Sequence, residues 1–383
     1  MFDKKFFLKK KLHILFLCGW YPSDVLPNNG DFIQRHAEAV SLKHNVSVLH
    51  IISSEDCSKK IEITTQEVNN ITTHIAYLRA TKNSVIKIIR FWRAYKLLLT
   101  KIPEFDLVHL NKLYPFGVFA LHLKFKKNVR YIISEHWSGY KPPMLHKLSP
   151  LHKFISKRIT QKAEVILPIS KDLGISMLKQ GFTGNYDHVP NVVDTEIFVP
   201  SNEKENIFTL IHISNMVDEY KNVSSIVKAI KKLESKINHF KVKLIGAKPN
   251  DLIQLVNQEL IDPNKIEFIE HLPQEEMITH LQRAHALIMF SNQENLPCVI
   301  LEAFSCGIPV ISTNVGGIPE YFPKDFGFLI DKNDEVALLD RILYLYKNPI
   351  NLKKEMHQYA VDNFSKQTIS NSFSNIYYKL VGK

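Results

Sequence analysis

Short apolar runs of four to seven residues alternate along the chain with amphipathic stretches of nine to sixteen. The runs His13–Cys18, Val46–Ile52, Leu107–Leu110, Val129–Ser134 and Val165–Ile169 predict one series of buried strands. A second series is predicted at Thr209–Ser214, Val242–Gly246, Ile266–Ile269, Leu287–Phe290 and Pro309–Ser312. Helical patterns at Phe32–Leu42, Ser84–Leu99, Lys171–Lys179 and Val223–Leu233 lie between them. Continuous apolar strands that alternate with helices are the mark of parallel, doubly wound sheets, because both faces of such a sheet are covered. Two series predict two Rossmann-like domains in tandem.

The pattern breaks within Val192–Ile207, where Val199-Pro200-Ser201-Asn202-Glu203-Lys204 is polar. We therefore expect an N-terminal domain over 1–195 and a C-terminal domain over 196–365. A last helix has Ile369, Phe373, Ile376 and Tyr377 on one face. That face must be buried, so the helix at about 366–383 is expected to pack back on the first domain.

Charge sharpens the division. Residues 1–200 hold 29 Lys and Arg against 16 Asp and Glu, whereas residues 201–383 hold 20 against 22. A basic half points to an acidic substrate or an anionic membrane surface. No nucleic-acid-binding module is present in the sequence, so nucleic acid is not an expected partner. In Ser84–Leu99, Ile88, Phe91, Trp92, Tyr95, Leu98 and Leu99 share one arc of the helix, and Lys87, Arg90, Arg93 and Lys96 the other. Two readings follow: a sheet-covering helix with a solvated basic face, or a basic surface that leans on anionic lipid.

The basic start, with Lys4, Lys5, Lys9, Lys10 and Lys11, imitates a secretory leader. Its apolar stretch is short and runs into Gly19-Trp20-Tyr21-Pro22 without a small-residue cleavage site, which predicts a buried strand behind a basic tail. Four cysteines (Cys18, Cys57, Cys298 and Cys306) match no zinc spacing. A reduced, cytoplasmic protein without a structural metal is expected.

The densest chemistry lies at Ser291–Phe304, directly after the strand Leu287–Phe290. Asn295 and Pro297 form a good N-cap and first-turn pair, and Gly307 is placed to end the helix. Glu294 then falls in a strand-to-helix loop at the carboxyl edge of the sheet, where open α/β sheets bind ligands. The helix start offers N–H groups to an anion, a phosphate above all. Glu302 follows eight residues later, inside the helix.

With Glu302-Ala303-Phe304-Ser305-Cys306-Gly307-Ile308-Pro309-Val310 and Gly316-Gly317-Ile318-Pro319-Glu320, this glutamate pair resembles glycosyltransferase family 4. Further segments agree in order: Gly30 and His36, Ser134-Glu135-His136, Pro168-Ile169-Ser170-Lys171, Pro190-Asn191-Val192-Val193-Asp194, and His212-Ile213-Ser214-Asn215 leading to Lys221-Asn222. The resemblance implies a GT-B fold, α/β with two Rossmann-like doubly wound domains and a cleft between them. It also implies a retaining transferase that uses a UDP- or GDP-linked nucleotide sugar, with no further cofactor.

The implied site residues follow from the same resemblance. Glu302 would hold the donor ribose, Glu294 the transferred sugar, and Lys221 the diphosphate. Asn215, Asn295, Leu296, Cys298 and Val299 would line the donor, the last four through backbone groups, while Pro297 has no N–H to offer. His136 would face the sugar, and Gly30 would allow close approach of a loop to the diphosphate. The family usually has an arginine five residues before the lysine; here that position is Met216, with Asp218 and Glu219 nearby. The acceptor is expected to be a glycan or a lipid-linked glycan of bacterial surface polysaccharide or lipopolysaccharide assembly. The chain contains no Asp-x-Asp, so no metal is expected. A sugar-nucleotide epimerase of the same fold, or a non-catalytic membrane adaptor that binds sugar nucleotides, stays open as an alternative. The expected location is the cytoplasm, with peripheral attachment to the inner face of its membrane.

Overall fold

A computed structural model describes residues 10–142 and 144–382. Lys4, Lys5 and Lys9 of the basic tail lie outside the described residues. The chain divides into two compact units. The first takes in the described part of Met1–Ile169 together with Gly174–Val189 and Ile369 onward, and the second takes in Ser170–Leu173 and Pro190–Thr368.

The first unit runs β1 (His13–Cys18), α1 (Asp31–Ser41), β2 (Asn45–Ser54), β3 (Ile61–Val68), β4 (Ile71–Arg79), α2 (Ser84–Leu99), β5 (Leu107–Asn111), α3 (Gly117–Lys127), β6 (Tyr131–Glu135), α4 (Pro150–Lys162) and β7 (Ile166–Pro168), followed by α5 (Lys171–Lys179). Its sheet has the order β3-β4-β2-β1-β5-β6-β7. All pairings are parallel except β3 with β4. Ile14 to Cys18 and all of β5 are fully buried, as central parallel strands must be.

The sequence pattern misses the β3–β4 hairpin. Thr64, Thr65, Gln66 and Glu67 of β3 are exposed, so no apolar run marks this edge strand. Its turn is Asn69-Asn70, with φ of 52° and 60°, the left-handed pair that two-residue hairpins need.

The second unit runs β8 (Phe208–Ile213), α6 (Asp218–Lys221), α7 (Val223–Glu234), β9 (Phe240–Gly246), α8 (Asn250–Gln258), β10 (Ile266–Glu270), α9 (Gln274–Arg283), β11 (Ala286–Met289), α10 (Cys298–Ser305), β12 (Val310–Thr313), β13 (Gly327–Ile330), α11 (Glu335–Lys347) and α12 (Lys353–Phe364). Its sheet has the order β10-β9-β8-β11-β12-β13 and is parallel throughout. Apolar faces of α7, α8 and α11 close one core over it, with Ile226, Ile230, Leu252 and Leu338 buried.

The final helix, α13 (Lys366–Val381), buries Ile369, Phe373 and Tyr377. From Ile369 it belongs to the first unit. There the Tyr377 hydroxyl meets His109 Nδ1 at 2.7 Å, and Ser134 Oγ holds His109 Nε2 at 2.7 Å. His109 is therefore a core residue whose burial keeps it neutral. Among the described residues no helix is long and apolar enough to cross a membrane.

One expectation fails in α2. It buries Ala94, Tyr95 and Leu98, yet Ile88, assigned to the sheet face, is 67% exposed. Only the later turns lie over the sheet, and the residues from Ser84 to Ile89 are all exposed.

Candidate active site

The second unit assembles its site on two loops at the carboxyl ends of β8 and β11. The first loop carries Lys221 and the second Glu294, and the side chains meet at 2.6 Å. Ser291 Oγ also donates to Glu294 Oε1, at 2.8 Å. Glu294 is 8% exposed and Lys221 19%, so the pair is shielded but reachable. The backbone enforces this meeting. Asn292 and Gln293 N–H groups donate to the Tyr220 carbonyl at 2.7 and 3.3 Å, and Asn292 Nδ2 donates to the Glu219 carbonyl at 3.2 Å.

The Lys221 loop is itself braced from below. His212 is bonded to the Ile288 carbonyl and to Ser214 Oγ, each at 2.8 Å, and Ser214 Oγ accepts the Met216 N–H at 3.0 Å. Asn215 makes a local turn, its side chain accepting the Val217 N–H at 3.3 Å. At the position where the resemblance leads one to look for arginine, Met216 is buried in the core with φ of 56°. Both oxygens of Asp218 are turned to α7, capping it through the Ser224 N–H and hydroxyl at 2.7 and 2.8 Å.

The helix after Glu294 starts later than the sequence pattern suggests. Pro297, rather than Asn295, is the N-cap of α10, and no side chain caps it. Asn295 is kept out of the helix: its carbonyl accepts the Gly317 N–H at 2.7 Å, and the Leu296 carbonyl accepts Asn191 Nδ2 at 2.8 Å. Cys298 opens the helix, Val299 follows, and Glu302 is buried one turn on. Gly307, with φ of 69°, closes the helix as expected, its N–H bonding Phe304 and that of Ile308 bonding Ala303. Within the second unit, which includes Ser170–Leu173, Glu320 accepts the Lys171 and Asp172 N–H groups at 2.8 Å each.

In the first unit, Gly30 is the N-cap of α1 with φ of 86°. A Cβ there would lie 2.6 Å from the Trp20 carbonyl carbon, so the glycine is required by the chain's own crossing. His136 is buried against α1, its ring 4.7 Å from Phe32 and 5.3 Å from His36. His36, also buried, packs at 5.2 Å on Phe373. Trp137 stacks on His152 at 5.7 Å.

Two residues here carry work that the sequence reading did not assign. Glu135, fully buried, accepts the N–H groups of Leu113, His136 and Trp137 and the Tyr140 hydroxyl, at 2.8 to 2.9 Å. It thereby fixes the loop that presents His136. Glu135→Gln should cost about 2–3 kcal/mol, since an amide offers one acceptor oxygen where four donors converge; thermal denaturation measures it. Lys112 follows β5 directly, with Nζ 3.7 Å over the Trp20 ring. Burial lowers its pKa to about 8, against the opposing pull of Glu135. A lysine straight after a buried strand was the available signal for it.

Residues 35–197 match the family profile Glycosyltransferase Family 4, and residues 193–362 match Glycosyl transferases group 1. The chain belongs to this glycosyltransferase family. N-acetyl-alpha-D-glucosaminyl L-malate synthase of Bacillus anthracis is 30% identical over 185 residues, 47% of each chain. The O-antigen biosynthesis glycosyltransferase WclY of Escherichia coli is 27% identical over 135 residues, 35% of this chain and 37% of that one. The matched stretch thus spans about half or less of these curated relatives. The solved structure of Anabaena Alr3699/HepE in complex with UDP superposes with a TM-score of 0.74 over 97% of this glycosyltransferase and 100% of that chain, at 13% identity. The fold is GT-B, built from two Rossmann-like domains.

Proposed function

We propose that this glycosyltransferase is a retaining enzyme that moves a sugar from a UDP- or GDP-linked donor to a glycan or lipid-linked acceptor in bacterial surface-polysaccharide assembly, without a divalent metal, in the cytoplasm. The observation that carries the reading is the Lys221–Glu294–Ser291 cluster beside a helix start that no side chain caps. A donor diphosphate takes the lysine from Glu294, and the released carboxylate accepts hydroxyls of the transferred sugar. Glu302, one turn into α10, takes the ribose. Fixed donors, Lys221 and the first-turn N–H groups of α10, then stabilise the charge that develops on the leaving diphosphate. Such donors do the work of a cation where no Asp-x-Asp is present to bind one. His136 and Gly30 belong to the acceptor-binding unit. The names of the WclY relative and of the UDP-bound structure support the acceptor class and the donor.

A thermal-shift panel of UDP- and GDP-sugars identifies the donor, since a true donor stabilises only the native state. Lys221→Ala removes a charge-assisted contact of about 1.5–3 kcal/mol, so calorimetric affinity for that donor should fall roughly ten- to a hundredfold. Glu302→Gln should weaken it too, with the fold intact. Turnover should persist in EDTA, and NMR should show the donor's anomeric configuration in the product. Unchanged affinity in both variants defeats the site; EDTA inhibition reversed by magnesium or manganese defeats the metal claim; an inverted product defeats retention. Conversion of donor to a new sugar nucleotide without acceptor would identify an epimerase instead.

A further inference from the structure

In the first unit the crossovers β4–α2–β5, β5–α3–β6 and β6–α4–β7 all step the same way across the sheet. Right-handed crossovers therefore lay α2, α3 and α4 side by side on one face. Their contacts agree: Tyr95 of α2 stacks on Phe119 of α3 at 4.1 Å, and Gly117 of α3 admits Ile159 of α4. The opposite face carries α1, against which Phe373 of α13 packs through His36.

The composition of that helical layer is one-sided. It holds four Lys and Arg in α2, three in α3 and four in α4, and no Asp or Glu in any of them. By contrast α1 carries Asp31 and Glu38 against Arg35. One layer cation, Lys124, is engaged by Glu164 at 2.8 Å. Lys87, Arg93 and Lys96 of α2 and Lys157 and Arg158 of α4 are exposed.

Large apolar side chains stand among these charges. Val85 and Ile88 in the first turns of α2 are 64% and 67% exposed, and Leu151 and Phe154 in the first turns of α4 are 64% and 58% exposed. Each helix of a parallel sheet starts where its strand ends, so both apolar clusters lie at the carboxyl edge of the sheet. His136, after β6, and Lys112, after β5, lie at that same edge.

We propose that the layer α2–α3–α4 is a docking surface for an anionic phospholipid bilayer, with the first turns of α2 and α4 inserted at the boundary between headgroups and acyl chains. The proposal rests on the acceptor being lipid-linked for its purpose, but not for its test. Cations supply attraction to the anionic leaflet, and exposed Ile, Val, Leu and Phe supply the apolar contact that keeps an interfacial helix in place. A phosphate backbone such as that of DNA would answer the charge and leave the apolar groups in water. Docking by this edge would bring the sheet terminus that carries His136 and Lys112 toward the lipid surface.

Flotation of the whole chain with phosphatidylcholine vesicles, with and without phosphatidylglycerol, tests this in the absence of donor and acceptor. Binding should require phosphatidylglycerol and should fade as ionic strength rises from ~0.1 to ~1 M. Ile88→Ser with Ile89→Ser, both exposed and so harmless to folding, should weaken it about tenfold or more. Lys87→Glu with Arg93→Glu should do the same, whereas Lys332→Glu with Lys347→Glu in the second unit should change nothing. Equal binding to neutral vesicles, no binding to either, or insensitivity to the isoleucine pair would overturn the proposal. So would duplex DNA bound as tightly as the anionic vesicles and unaffected by the isoleucine changes. Because no turnover is read, failure here leaves the transferase reading standing, and the reverse also holds.

Discussion

Gly316→Ala is expected to cut turnover about a hundredfold, whatever sugar the enzyme transfers. Gly316 has φ of 62°, and a Cβ built on it would sit 2.0 Å from the carbonyl oxygen of Glu294. No rotamer relieves that overlap, because the obstacle is backbone. Nor can the loop yield freely, since the next residue, Gly317, donates its N–H to Asn295 at 2.7 Å. The strand-to-helix loop must shift away from Lys221, and displacements near 1 Å at a positioned group commonly cost about a hundredfold in rate. Gly181→Ala supplies the comparison. It too has positive φ, at 79°, but its Cβ would meet only the flexible end of Lys157. That change should cost about 1 kcal/mol of stability and leave kcat/KM alone. Steady-state kinetics on the two variants, with thermal denaturation of each, decides the matter. Equal activity in both would mean that the Gly316-Gly317 pair does not hold the Glu294 loop.

The paired glycines also show where sequence reading reaches its limit. Gly316-Gly317 is visible as a motif, but its purpose is a contact with residues more than twenty positions away that spacing does not reveal. Glu294 and Glu302 are legible because strand-loop-helix order puts their segment at the carboxyl edge of a sheet, whereas Lys221 stands out only through the family resemblance. The partners that fix them are not legible: Ser291 is close in sequence, but the Tyr220 carbonyl is bound from across three crossovers. The fold divides in the same way. Strands such as β1 and β5, buried on both faces, announce themselves as apolar runs. The edge strand β3 does not, and its only local mark is Asn69-Asn70. The edge strand β13 is missed as well; it begins at Gly327, whose φ of 147° lets its backbone lie against Val310. For α2, helical periodicity separates two arcs correctly but cannot say how far along its length the sheet continues beneath it. The structure shows the cover ending before Ile89, and the docking proposal begins there.

Both units should lose stability steeply between pH 6.5 and 4, and buried neutral histidines explain why, His50 in the first unit and His212 in the second among them. His50, fully buried, holds the Cys18 carbonyl through Nδ1 at 2.8 Å; His212 is buried likewise between Ile288 and Ser214. Burial lowers the pKa of each to about 4, the backbone bond resisting and the charges of Lys112 and Lys221 assisting. In the unfolded chain each returns to about 6.5. Between these values the unfolded state binds protons that the folded state refuses, so stability rises with pH and falls on acidification. Below pH 4 both states are protonated and these groups add no further slope. Each histidine should contribute about 1.4 kcal/mol of loss per pH unit within the window. His212 also braces the loop that ends in Lys221, so donor binding should weaken over the same range. His212→Asn keeps a side chain able to hydrogen-bond but removes the titration. Its second unit should therefore lose about half a decade less per half pH unit in folding constant than the parent. Thermal denaturation and donor titration at pH 7, 6 and 5 supply the readouts. A parent chain equally stable at all three values, or a variant with the parent's slope, would count against His212 as the acid-sensitive brace of the donor loop.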